Sequence, residues 1–122
     1  MSSQAKRVRV EFEGVGVFRA ELKRFMAPLT YDEVVRRLPL SGPAARWDFA
    51  VYVPVEIRRG AEKEIYSASP GDVLYWATNG SIVFVFRKAQ PPTHSVRIGV
   101  ILDDPSPLER VRPGSRVLIA PE

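Results

Sequence analysis

The chain of 122 residues contains no cysteine. That excludes disulfides, thiolate metal sites and a cysteine nucleophile. Secreted domains of this size often depend on disulfides, so the absence points to a cytoplasmic protein. Histidine occurs once, as His94, with no second ligand at a metal-binding spacing, so neither a metal centre nor a cofactor is expected. No run approaches the roughly 18 apolar residues of a membrane helix. The start, M-S-S-Q-A-K-R, has no apolar signal segment behind it. A phosphate-cradling loop is missing too: Gly14-Val15-Gly16 joins two strand-like runs and opens no helix. Asn, Gln and Met are scarce, arginine supplies most of the 18 basic residues, and many of the 11 prolines sit in loop-like positions. That profile partly fits the thermophile pattern of few labile side chains and stiff loops. With no internal repeat and no composition break, residues 1–122 are expected to form one domain, with 1–6 disordered.

What is present is alternation. Arg7 to Glu13 places Val8, Val10 and Phe12 on one face; Val17 to Arg24 does the same with Phe18, Ala20 and Leu22. The two predict a hairpin with one wet face. Thr30-Tyr31-Asp32-Glu33 has the form of a capping box before a short helix that carries Val34, Val35 and Leu38 and stops at Pro39. Leu40 to Ala45 reads as a loop. Arg46 to Ile57 alternates over its whole length, with Trp47, Phe49, Val51, Val53, Val55 and Ile57 on one face. Pro54 within it implies an edge, a bulge or a break. Glu64 to Ala68, Val96 to Leu102 and Arg116 to Ala120 suggest further strands, with one helical turn at Leu108 to Val111.

The centre of the pattern is Gly71 to Phe86. Val73 to Trp76 is one apolar run and Ile82 to Phe86 another. Asn79-Gly80 between them is a strong turn dipeptide, because both residues tolerate positive φ. The second run is apolar on both faces, as expected for a strand with no solvated side. About eight short strands with evenly spaced turn signals predict a mainly β barrel or sandwich.

The stretch Gly16 to Val35, G-V-F-R-A-E-L-K-R-F-M-A-P-L-T-Y-D-E-V-V, resembles the start of a cyclophilin. Gly71-Asp72-Val73-Leu74 and Asn79-Gly80-Ser81 before an aromatic strand are similar to the segment leading into that family's Gly-Ser-Gln-Phe-Phe strand. Ile98-Gly99-Val100 and Leu108-Glu109-Arg110-Val111 resemble its closing strand and short helix. The Gly-Asp-Val-x-Tyr-Trp segment, Gly71 to Trp76, is similar to that of small prokaryotic cyclophilin-like proteins of unassigned function. The resemblance implies a closed eight-stranded β-barrel with one or two short helices over its ends. It departs at the catalytic positions. The counterpart of the family's Phe-His-Arg-x-x-Pro strand is Phe49 to Pro54, which puts Val51 at the arginine, and Ile82 stands at the glutamine. Isomerisation needs a donor or charge that favours the twisted amide over the planar one, and neither side chain supplies it.

The expected function is therefore binding of a small molecule or an extended peptide in an aromatic-lined groove, without a complete prolyl-isomerase site. Candidate groove residues are Trp47, Tyr52, Tyr75, Trp76, Phe84 and His94. For each ring, ordinary core packing is the competing reading; for His94 it is an exposed loop position. Two other classes stand beside it. One is an enzyme, a weak prolyl isomerase or one acting on a small substrate through His94. Arg46 or Arg87 would then have to supply the missing charge, and the carboxylates form no evident acid–base pair. The other is a nucleic-acid-binding barrel. The net charge is +4, but Arg36-Arg37 and Arg58-Arg59 interleave with Glu11, Asp32, Glu33 and Glu62, which favours a mixed solvated surface. Convergence of His94 and Arg46 on one cavity would favour the enzyme; a filled barrel end would favour an interaction role. No pattern speaks to oligomeric state.

Overall fold

The computed structural model describes residues 4–122. Strands β1 (Ala5–Phe12) and β2 (Gly16–Lys23) form the first hairpin, and a 3-10 turn (Arg24–Met26) leads into α1 (Pro28–Arg37). Then come β3 (Leu40–Pro43), β4 (Ala45–Trp47), β5 (Ala50–Pro54), β6 (Asp72–Trp76), β7 (Ser81–Val85) and β8 (Ser95–Ile101). A 3-10 helix (Ser106–Arg110) and β9 (Arg116–Pro121) complete the chain. The nine strands form one sheet in the order β3-β9-β1-β2-β8-β6-β7-β5-β4. Every pairing is antiparallel.

The barrel nearly closes at a seam made by one bent segment. β3 and β4 are separated only by Ala44, yet β3 pairs with β9 and β4 with β5. The segment thus draws the two ends of the sheet together, and counting it once gives the eight strands that the resemblance implied. Gly42 permits the approach: a Cβ there would lie 3.0 Å from the Pro54 carbonyl oxygen, tighter than almost any real Cβ contact.

The barrel interior is filled. Val8, Val10, Phe12, Phe18, Ala20 and Leu22 are buried in the alternation read from the sequence. Phe12 meets Phe18 and Phe84 edge-on, with centroids 5.5 and 5.4 Å apart, the geometry that aromatic quadrupoles prefer. Tyr31 and Val34 of α1 pack into this core at the rim where β2 ends and β3 begins; Leu108 and Val111 do so at the other.

Two long connections cross the outer wall. Residues 55–71 run from the end of β5 to the start of β6, and 86–94 return from β7 to β8. They touch at an Ala68–Ala89 bridge and cover a second apolar cluster, Ala50, Ala68, Leu74, Val83 and Val85. β7 is therefore buried at every position, which accounts for the run that is apolar on both faces.

Several expectations are corrected. Leu40–Pro43 is a strand, not a loop. Arg46 to Ile57 is not one strand: the chain reverses at Asp48-Phe49, so that Trp47 faces Ala50 across a hairpin. Glu64 to Ala68 contributes only isolated bridges, at Glu64 and Ala68. β1 begins at Ala5, and the Gln4 carbonyl accepts the Arg24 amide; of the segment expected to be disordered, residues 1–3 lie outside the described ones.

The capping box does not form either. Pro28 takes the first helical position, where a missing N–H costs nothing, and this places Thr30 inside the helix. No side chain at Ala27 caps it. Glu62, from the first crossing connection, does so instead. Its carboxylate accepts the Leu29 amide at 3.1 Å, the Thr30 amide, and the Thr30 hydroxyl at 2.7 Å. Burial works to raise the Glu62 carboxyl, but these three hydrogen bonds outweigh it and hold the group below its ordinary range. A lowered folded value means stability present above the unfolded value, near 4.3, and lost as pH falls through the folded one. Glu62→Gln should lower stability by about 1–2 kcal/mol at neutral pH, as for loss of a helix cap. The gap to wild type should shrink as both are acidified below roughly pH 4. Denaturant melts across pH check this; an equal gap at neutral and acid pH would show that the charge on Glu62 is irrelevant.

Gly80 takes the positive φ expected of the turn, 63°, but is buried. A Cβ there would lie 2.5 Å from the Ile57 carbonyl oxygen, so Gly80→Val meets both a conformational and a steric obstacle and should not fold stably. Phe84→Ala should cost about 3–5 kcal/mol. Val83→Ala, although equally buried, should cost less because fewer atoms leave. Melts that rank the two the other way would misplace Phe84 in the core.

Candidate functional site

The Asp48-Phe49 reversal creates an aromatic cluster on the outer wall. Trp47 precedes the turn, Phe49 lies in it, and Tyr52 comes back along β5 beside them. Trp47 stacks on Tyr52 with centroids 4.3 Å apart and on Phe49 at 5.4 Å. Trp76, at the end of β6, meets Trp47 edge-on at 4.9 Å and Tyr52 at 5.7 Å. The rings rest on the outer apolar cluster, and Trp47, Phe49, Tyr52 and Trp76 are each only partly buried.

Beside the cluster is an open groove of about 560 Å³, lined by Arg46, Trp47, Asp48, Phe49, Trp76 and Pro92. Its floor is aromatic and its polar groups are few. Arg46 is already committed. Its guanidinium donates to the carbonyls of Glu109 at 2.6 Å and Val111 at 3.0 Å, and lies 5.4 Å from the Phe86 ring centroid. Arg87 faces the same ring at 5.6 Å and pairs with Glu109 at 2.8 Å. These cations brace the loop end of the groove. By contrast, the two indole N–H groups and the Tyr52 hydroxyl have no hydrogen-bond partner among the described residues.

Of the six residues singled out in the sequence, three come together here: Trp47, Tyr52 and Trp76. Tyr75 and Phe84 point the other way, into the barrel, and are 0% and 1% exposed. The Tyr75 hydroxyl lies 3.0 Å from the Ile57 carbonyl and 2.9 Å from that of Arg59, and accepts the Arg59 amide. It pins the start of the first crossing connection. His94 is exposed, at φ 68°. Its Nδ1 lies 3.3 Å from the Thr78 hydroxyl and its amide donates to Glu64. His94 does not line the groove that Arg46 lines, so the two do not converge. Val51 and Ile82, at the catalytic positions of the resemblance, are 0% and 2% exposed in the core. Phe49 and Pro92 are groove residues that sequence reasoning missed. The turn-forming tendency of Asp48 was the available signal for Phe49; Pro92 is brought in by a long connection that no local pattern predicts.

Among the described residues, no helix is long and apolar enough to cross a membrane, and no group of three potential metal ligands occurs.

This antiparallel, nearly closed barrel with a helix over one rim defines the class of protein. A family model described as cyclophilin-like matches residues 6–120, and the chain belongs to that family. The solution structure of a hypothetical protein from Archaeoglobus fulgidus is similar, at 25% identity and a TM-score of 0.79, over 99% of this chain and 98% of that one. The structure of McbB in complex with tryptophan shares the fold at 12% identity and a TM-score of 0.77. That match covers 94% of this chain but 44% of McbB. No curated protein matches the sequence.

Trp47 contacts all three other rings, so Trp47→Ala should disperse the cluster. With each aromatic pair worth about 0.5–1.5 kcal/mol beyond buried area, the loss should be about 2–4 kcal/mol. The remaining Trp76 should emit at longer wavelength as its surroundings become wetter. Unchanged emission would mean that Trp76 is held without Trp47.

Proposed function

We propose that this protein is a cytoplasmic binding module that takes an extended apolar peptide segment in the Trp47–Trp76 groove. The observation that carries the reading is the aromatic cluster itself: four large rings left partly open on the outside of a barrel whose interior is full. A ligand cannot enter a packed core, and the exposed aromatic surface it can reach lies along the wall. Extended proline-bearing segments dock on aromatic ridges of this kind, with ring N–H and O–H groups available to peptide carbonyls. Trp47 and Trp76 meet edge-on, and the groove beside them offers ring surface for one flat or pyrrolidine side chain to rest on.

The small-molecule reading keeps one supporting observation. McbB, which shares the fold, has been seen in complex with tryptophan, and an indole would suit the same aromatic groove. Enclosed small-molecule sites bury most of their ligand; this groove is open, which favours the peptide. Prolyl isomerisation is not part of the proposal. Val51 and Ile82 offer no polarising group and are covered by the core, and His94 and Arg46 stand apart. Nucleic acid is not proposed as a partner either, because many of the arginines face carboxylates.

The chain's two tryptophans both line the groove, so intrinsic fluorescence reads it directly. A proline-rich peptide should change the emission saturably, and Phe49→Ala should weaken binding about tenfold, the loss of one stacked contact worth roughly 1.4 kcal/mol. Free tryptophan is the comparison arm: tighter binding of tryptophan than of peptide would select the small-molecule reading. Saturation by neither would sink the groove as a binding site. A standard proline-peptide assay should show no turnover above background.

A further inference from the structure

A second concavity, of about 460 Å³, lies where residues 56–60 meet the β6–β7 turn, 77–80. It differs from the groove in every chemical respect. Its lining is polar: Arg58, Arg59, Thr78 and Asn79, with Glu56 the single carboxylate. We propose that it is a binding site for a small molecule bearing a carboxylate or phosphate group, held by Arg58 and Arg59.

Many arginines of the chain are neutralised by a carboxylate; at this cavity Arg58 is not. Arg19 pairs with Asp103, Arg24 with Asp32, Arg87 with Glu109 and Arg97 with Asp72, each at 3.1 Å or less. Arg58 has no carboxylate within 4.0 Å among the described residues. Arg59 reaches only Glu33, at 3.9 Å, and Glu33 is already held by Arg36 and Arg37. Arg59 also feels the charges of Asp32 and Glu62, so Arg58 supplies the uncompensated positive charge and Arg59 the second guanidinium within reach. A guanidinium fork matches the paired oxygens of a carboxylate or phosphate, and the Asn79 side-chain amide keeps a second N–H beyond the one it gives Ser81.

The frame around the cavity is rigid. The buried Tyr75 hydroxyl holds both Ile57 and Arg59 by their main chains. The Val55 amide donates to the Gly80 carbonyl at 3.1 Å, tying the connection to the turn. Gly80 lies so close to Ile57 that no side chain fits. Glu56 sits at φ 59°, an uncommon conformation for a residue with a side chain, and such conformations gather at ligand sites. Two flexible arginines carried on a fixed floor are what recognition of a small anion needs.

The test uses the whole chain, ¹⁵N-labelled, titrated separately with inorganic phosphate and with succinate, and with succinamide as the uncharged control. Phosphate or succinate should shift the Asn79 and Gly80 amides saturably, the tighter of the two naming the group recognised; succinamide should not. Arg58→Gln and Arg59→Gln should each weaken binding about tenfold, the effect of losing one charge-assisted contact. Arg112→Gln, an equal charge change outside the cavity, should leave binding within about twofold. Shifts scattered over the basic surface, equal loss with Arg112→Gln, or no saturation would overturn the proposal. Because this site shares no lining residue with the aromatic groove, its failure leaves the peptide reading intact, and the reverse.

Discussion

The constraint on which the structure depends is the double burial of the β6–β7 hairpin. On the inner side Tyr75, Ile82 and Phe84 fill the barrel; on the outer side Leu74, Val83 and Val85 lie under the two crossing connections. A strand buried on both faces cannot slip by one residue, because either register would still need apolar side chains on both sides but would lose the fit of each. The hairpin therefore fixes where residues 55–71 and 86–94 must run. Those paths in turn shape both candidate sites: the first delivers Glu62 to the start of α1 and Arg58 and Arg59 to the rim, and the second brings Pro92 to the aromatic groove.

The legibility of the sequence follows the same division. Strands with one wet face were readable from alternation, as with Val8-x-Val10-x-Phe12, because the period of two reports a half-buried surface directly. The hairpin was readable from its continuous apolarity and from Asn79-Gly80. What was not readable was anything set by a contact distant in the chain. The Thr30–Glu33 pattern has the right letters for a reciprocal cap, but a carboxylate from Glu62 does the work. Arg46 to Ile57 alternates without a break, yet bends back at Asp48-Phe49. The turn shifts the phase by one, so that Trp47 shares the outer face with Ala50 and Tyr52 while Val51 and Val53 face the core. Because Trp47 and Phe49 are apolar on the outer side, the letters go on alternating, and periodicity alone cannot see the reversal that assembles the aromatic cluster.

The candidate sites show the same limit. Large aromatic residues were singled out, but which way each ring faces depends on strand parity. Adjacent Tyr75 and Trp76 take opposite sides: one becomes a buried anchor for the backbone of residues 57–59, the other a groove wall. The family resemblance located Val51 and Ile82 at the positions where cyclophilins carry polar groups; their burial in the core makes those positions part of the packing. The adjacent arginines at Arg58-Arg59 looked like ordinary surface charge; that Arg58 lacks a carboxylate partner while Arg59 reaches Glu33 is visible only in the fold.

The placement of the chain ends has a mechanical consequence. β1 begins and β9 ends at the same rim, side by side, with Val8 opposite Pro121. A force that draws the two ends apart acts across the β1–β9 ladder rather than along it. Its hydrogen bonds are then loaded one after another, as in a zipper, and not together, as in a shear joint. Pulled between its two ends, the barrel should therefore open at the β1–β9 ladder under little tension, one pair at a time.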